Sequence, residues 1–257
     1  MRKCAAAILC LSAFLVTGCF DIEQSLTLER NLSGQAGFSM KVDMEPMVLF
    51  MTQMQREMEG KKGPPTEAEL AKARKELQSS TKNETPADFE KEKKEMASKL
   101  PKGVTLVDAK FQDEGLKMTA QATFAFDNAS KLAQISLPDK GGQGGGPGGP
   151  PNPAETPFGG LQVTDEGKTI LVTSPVKNPA ADTQAPGAAP DAAMMKQIEG
   201  MFKGLRVAFK ITAPFDIVEH NAHRKEGNTL VWEYNMASIQ KLTPDQLKQG
   251  IKVRYRK

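Results

Sequence analysis

The sequence predicts an α+β protein: a bent antiparallel sheet of hairpins packed against helices, with a polar helical insertion and disordered Pro/Gly-rich loops. Three observations carry that expectation. Apolar residues alternate with polar ones in four stretches broken by Gly-containing turns. Helix starts are marked by a hydroxyl residue three positions ahead of a carboxylate or amide. Two segments offer almost nothing that a core could bury.

Taken in order, alternation runs from Ile22 through Leu26 and Leu28, pauses at Asn31-Leu32-Ser33-Gly34, and resumes with Ala36, Phe38, Met40 and Val42. That is a hairpin with one apolar face. A second hairpin spans Val104 to Phe126 around Asp113-Glu114-Gly115, and a third spans Leu161 to Thr173 around Asp165-Glu166-Gly167. The last begins at Arg206, bends at Ala213-Pro214, turns near Glu226-Gly227-Asn228 and returns through Leu230, Trp232, Tyr234 and Met236. A short strand from Ile251 to Tyr255 closes the sheet. Consecutive hairpins imply antiparallel pairing, and one apolar face per strand implies one covered face.

Helices supply the cover. Thr66-Glu67-Ala68-Glu69, Thr85-Pro86-Ala87-Asp88 and Thr243-Pro244-Asp245-Gln246 each place a capping hydroxyl correctly, two of them with Pro at the first helical position. Further helices are expected from Met44 to Glu59 and from Asp191 to Lys203. Residues 61–100 hold ten Lys or Arg and eight Asp or Glu above a thin apolar stripe, the mark of helices lying on the surface or projecting as a pair. Residues 138–160 and 175–190, rich in Gly, Pro and Ala, read as flexible loops within one domain.

The first twenty residues carry different information. Met1-Arg2-Lys3 is a short basic start, and Cys4 to Val16 contains only Ser12 among apolar or small residues, too short a run for a stable membrane span. It ends in Val16-Thr17-Gly18-Cys19, which resembles the lipobox of bacterial lipoprotein precursors. The resemblance implies a signal peptide over residues 1–18, cleavage before Cys19, and diacylglyceryl and acyl groups on Cys19 that anchor a 19–257 domain to a membrane. Acyl burial contributes about 0.8 kcal/mol per CH2, so two or three chains anchor durably. Phe20 in place of Asp, by likeness to sorting in enteric bacteria, points to the outer membrane rather than the inner.

Removing residues 1–18 lowers the formal charge from +3 to +1, which leaves no electrostatic footprint for nucleic acid. It also removes Cys4 and Cys10, so with Cys19 acylated the exported chain has no thiol for a disulfide, a metal or nucleophilic attack.

The most unusual feature is the row Met40, Met44, Met47, Met51, Met54 and Met58, spaced four, three, four, three and four. From Met44 onward it is a stripe on one helix face. Methionine is flexible and polarisable, so such a face fills an irregular core, or lines a groove for lipid or another hydrophobic ligand, or binds a soft metal through thioethers. The candidate groove comprises Met44, Met47, Met51, Met54 and Met58 against Phe124 and Trp232, with Phe38, Phe126 and Tyr234 nearby. A second stripe of this kind is Met194, Ile198, Met201, Phe202 and Leu205. An alternative role, assembly with another envelope protein, falls to the charged helices of residues 61–100.

No residue set suggests an enzyme. The only histidines, His220 and His223, sit in a polar stretch, there is no Gly-x-Ser-x-Gly elbow, and the Gly-rich run lacks the Lys-Ser/Thr ending of a phosphate loop. No catalytic residue, metal site or cofactor is nominated.

The stretch Val207-Ala208-Phe209-Lys210-Ile211-Thr212-Ala213-Pro214-Phe215-Asp216-Ile217-Val218-Glu219-His220-Asn221-Ala222, followed by a polar turn and Asn228-Thr229-Leu230-Val231-Trp232, resembles the LppM-like lipoproteins when taken with the lipobox and the first hairpin. The resemblance covers about half the mature chain. It implies an exported α+β domain with a strongly bent sheet that binds envelope lipids or glycolipids. The chain departs from the family in ending at Lys252-Val253-Arg254-Tyr255-Arg256-Lys257 without a membrane helix, and in the insertion between residues 44 and 100, so no ligand-binding residues carry over.

Overall fold

The computed structural model describes residues 20–80, 86–135, 158, 160–176 and 204–257. The signal segment, Cys19, the helix expected over 191–203 and most of both Pro/Gly segments lie outside the described residues.

The first hairpin pairs β1 (Phe20–Leu28) with β2 (Gly34–Asp43), from Phe20↔Val42 to Leu28↔Gly34. Three helices follow: α1 (Glu45–Met58), α2 (Glu67–Ser80) and α3 (Pro86–Ser98). The second hairpin, β3 (Val104–Asp113) with β4 (Lys117–Phe126), docks through β4 onto β2. Next come a 3-10 turn (Ala129–Gln134) and the third hairpin, β5 (Gln162–Asp165) with β6 (Thr169–Ser174). The C-terminal part runs through β7 (Arg206–Thr212), β8 (Asp216–His220), β9 (Arg224–Glu226), β10 (Thr229–Asn235), the short helices α4 (Met236–Ile239) and α5 (Pro244–Gln249), and β11 (Ile251–Arg256).

The α+β class and the hairpins are as the sequence implies, and the sheet departs from a single antiparallel one in two respects. Sheet one has the order β3-β4-β2-β1-β7-β10-β9, in which β1 and β7 run parallel, Ile22 opposite Val207 and Leu26 opposite Ile211. Two antiparallel hairpins are thereby joined through their first strands. Charge marks the join on the outer face: Arg206 donates to Asp21 at 2.7 Å and to Glu233 at 3.1 Å, and Lys210 to Glu23 at 2.9 Å. Arg224, and after it Arg206, hold the Glu233 carboxyl below the usual carboxylate range against an opposing effect of burial.

The second departure is a separate four-stranded sheet, β5-β6-β11-β8. The Ala213-Pro214 bend carries the chain into it, since Pro cannot extend a ladder and Ala213 is buried at the corner. β11 does not close the first sheet but lies between β6 and β8. Even so, one cluster of buried residues draws on both sheets, with Phe124, Leu132, Trp232 and Tyr255 among its largest members. Burying each such side chain contributes about 1.5–3 kcal/mol.

Asn221, just past β8, ties the two sheets together. Its Oδ1 accepts from the Trp232 indole Nε1–H of sheet one and from the Lys252 N–H of β11, both at 2.8 Å, while its Nδ2 donates to the Gly250 carbonyl at 2.8 Å. Gly250 itself has φ +50° and ψ −131°, and a Cβ there would stand 2.0 Å from the Ser174 carbonyl oxygen. Only glycine fits that approach.

The described ends of both expected loops belong to the fold. Phe158 is buried and meets Phe124 edge-on at 6.1 Å, so the end of the 138–160 segment belongs to the core. Val176 is also buried and its N–H donates to the Leu247 carbonyl at 2.9 Å, which takes the start of the 175–190 segment into the fold. One aromatic or aliphatic side chain at each boundary outweighs its Pro/Gly surroundings.

Candidate functional site

The helix α1 begins where β2 ends. Asp43 Oδ1 accepts from the Glu45 N–H at 3.0 Å, Pro46 stands in the first turn, and the Met44 N–H donates to the Leu116 carbonyl of the β3–β4 turn at 2.8 Å. The helix ends at Glu59 with Gly60 at φ +70°. Val48 and Thr52 are buried, and the Thr52 hydroxyl is satisfied by donating to the Val48 carbonyl at 2.7 Å.

The helix α2 lies against α1 in the opposite direction, held at both ends by ion pairs. Arg74 meets Glu45 at 2.6 Å near the start of α1, and Arg56 meets Glu69 at 2.6 Å near its end. Glu69 also closes the capping box seen in the sequence: the Thr66 N–H and Oγ1 each donate to its carboxylate at 2.8 Å. The Thr66 backbone bond, then its hydroxyl, then Arg56 hold the Glu69 carboxyl down to about 2. The helix α3 is fixed on β3 by Phe89 stacked on Phe111 at 5.9 Å. Its expected cap, Thr85, lies outside the described residues.

The methionine stripe starts in the core and runs off it. Met44 is buried in the shared cluster and Met47 packs against that cluster, whereas Met51, Met54 and Met58 are 47%, 39% and 75% exposed. At 100° per residue, Met47, Met51, Met54 and Met58 fall within an arc of about 60°. The last two turns of α1 therefore leave an apolar face exposed, while Thr52 and Arg56 occupy the side toward α2. Isolated exposed apolar residues are ordinary, but a contiguous row is the kind of surface that marks an interaction site.

The structure does not gather the seven groove residues. Phe124 and Trp232 are fully buried and Phe126 and Tyr234 are buried, so all four build the core and, among the described residues, line no opening toward α1. The candidate surface reduces to Met51, Met54 and Met58, with Met47 and the half-buried Phe50 at its inner margin. Its exposure depends on where the core ends beneath the helix, which helical spacing does not encode. Asn221 and the ion pairs of the β1–β7 join were also missed; the pattern Asp21-x-Glu23 facing Arg206 and Lys210 is visible only once the parallel register is known.

Both histidines are exposed and engaged locally. His220 Nδ1 accepts from the Ala222 N–H at 3.1 Å, and His223 Nδ1 accepts from the Glu233 N–H at 3.0 Å. Among the described residues no group of three or more His, Cys, Asp or Glu is placed to hold a metal, and no helix is long and apolar enough to cross a membrane.

No family model and no curated protein matches the chain. Among solved structures it is similar to the NMR structure of the folded domain of Mycobacterium tuberculosis LppM, with a TM-score of 0.40 and 10% identity over 93% of this chain and 90% of that one. The likeness is weak.

Proposed function

We propose that this protein is a cell-envelope lipoprotein, anchored through lipid on Cys19, that acts as a non-enzymatic binding module for lipid or another hydrophobic ligand. The observation that carries the reading is the exposed methionine face of α1. Three thioether side chains at helical spacing stand exposed toward the C-terminal end of α1, and their flexibility suits ligands of variable shape. The lipobox-like Val16-Thr17-Gly18-Cys19 supports the anchor. Outer-membrane placement rests on Phe20 after Cys19.

Native mass spectrometry of protein released from envelopes in mild detergent tests the binding. Co-purified lipid is expected on the unaltered chain, and Met51→Gln/Met54→Gln/Met58→Gln is expected to lose it while each change alters stability by no more than about 0.5 kcal/mol. A lipid-free mass in every preparation of the unaltered chain would remove the reading. A single dominant protein crosslinked in cells to the α2 and α3 surface would favour envelope assembly instead.

A further inference from the structure

The fold places Phe20, the residue that follows the proposed anchor, a short path from the base of the methionine helix. Phe20, the residue after Cys19, is already in β1 and already paired with Val42, the penultimate residue of β2. Met44, at the base of α1, follows two residues later. Consecutive Cα atoms lie 3.8 Å apart and antiparallel partners about 5.5 Å, so Met44 lies no more than about 13 Å from Phe20 along this path. A lipid on Cys19 would hold this end of sheet one at the bilayer surface, and the 14 residues of α1 extend about 21 Å from it.

Resting on the lipid-anchor reading above, we infer that Met51, Met54 and Met58 dock the α1–α2 hairpin onto the same bilayer that holds Cys19, so that the occupant of the exposed face is the membrane interface in cis. Charge makes the docking apolar. Residues 45–80 contain six acidic and six basic side chains, and Glu45, Glu67 and Glu69 are engaged by Arg74 and Arg56 within the hairpin. A hairpin without net charge gains little from anionic lipid, whereas three exposed thioether side chains gain from leaving water.

The sequence makes the test direct, because no cysteine follows Cys19 and acylation blocks Cys19 itself. Met54→Cys and Met58→Cys therefore accept a nitroxide at one thiol each. Lys225→Cys is the control: Lys225 is exposed and pairs with Leu230 at the opposite end of sheet one. The full acylated chain is placed in phosphatidylcholine vesicles, and the collision of each label with oxygen and with a water-soluble nickel chelate is measured.

Labels at 54 and 58 are expected to shift from chelate-accessible in detergent-free solution to oxygen-accessible on vesicles, with Lys225→Cys unchanged and no added shift when anionic lipid is included. Labels at 54 and 58 that stay as chelate-accessible as the control overturn the inference. Shielding already present without vesicles also overturns it, since residues 191–203 or a second copy would then be the cover. Mass analysis of the N-terminus precedes the experiment, and an unacylated Cys19 sinks it. The two readings part cleanly: shielded labels with no co-purified lipid leave docking standing and the ligand reading lost, while exposed labels with retained, methionine-dependent lipid do the opposite.

Discussion

Replacing Asn221 by Ala tests how the two sheets are held together. The side chain accepts from the Trp232 indole N–H and the Lys252 N–H and donates to the Gly250 carbonyl. Trp232 is fully buried, so its indole N–H is stranded when the acceptor goes, at a cost of about 1–3 kcal/mol. Gly250 is buried and Lys252 half-buried, but Asn221 itself is exposed, so water replaces part of what is lost there. The sum is about 2–3 kcal/mol, which for a domain of this size lowers Tm by about 5–10 °C. Trp232 is the only tryptophan, so its emission follows the site directly, with circular dichroism as the second probe. The attribution is checked by a cycle with Trp232→Phe, which removes the donor: in that background Asn221→Ala should cost at least about 1 kcal/mol less. A Tm change under about 2 °C, or an equal cost in both backgrounds, would refute the argument that this hydrogen bond joins the sheets.

Other outcomes follow from the same structure. Gly250→Ala forces a Cβ onto the Ser174 carbonyl at a backbone angle other residues avoid, and should destabilise by about 2 kcal/mol or more in denaturant unfolding. Phe124→Ala empties the centre of the core and should cost about 3–5 kcal/mol, whereas Met58→Ala, on the exposed face, should stay within about 0.5 kcal/mol. The Glu69 carboxyl titrates near 2 in the folded chain, below the ordinary carboxylate value of about 4.3, so its contribution is complete above about pH 5 and is lost as pH falls toward 2. Carbon chemical shifts of Glu69 should show that midpoint, and Glu69→Gln should remove the matching acid-side loss of α1–α2 order. Thr243→Ala deletes the α5 cap, in which the hydroxyl accepts from Gln246 N–H at 3.2 Å, and should cost about 1 kcal/mol in thermal unfolding.

What was legible in the sequence is what local chemistry decides. Alternation at Ile22 to Val42 and Val104 to Phe126 required strands because period-two burial needs them, and the turns followed from Gly and Asp placement. The capping boxes at Thr66 and Thr243 formed because a hydroxyl and a carboxylate or amide three residues apart satisfy each other's backbone donors wherever the helix lies. The methionine stripe was legible as a helix face for the same reason.

Tertiary structure decided everything that depends on a distant neighbour. The parallel join of β1 to β7 and the transfer of β8 and β11 to a second sheet depend on which strand edges remain open after the hairpins form. The burial of Phe124 and Trp232, and the exposure of Met51, Met54 and Met58, depend on where the core stops beneath α1. Helical period sets which residues share a face; only the packed body sets how much of that face is covered.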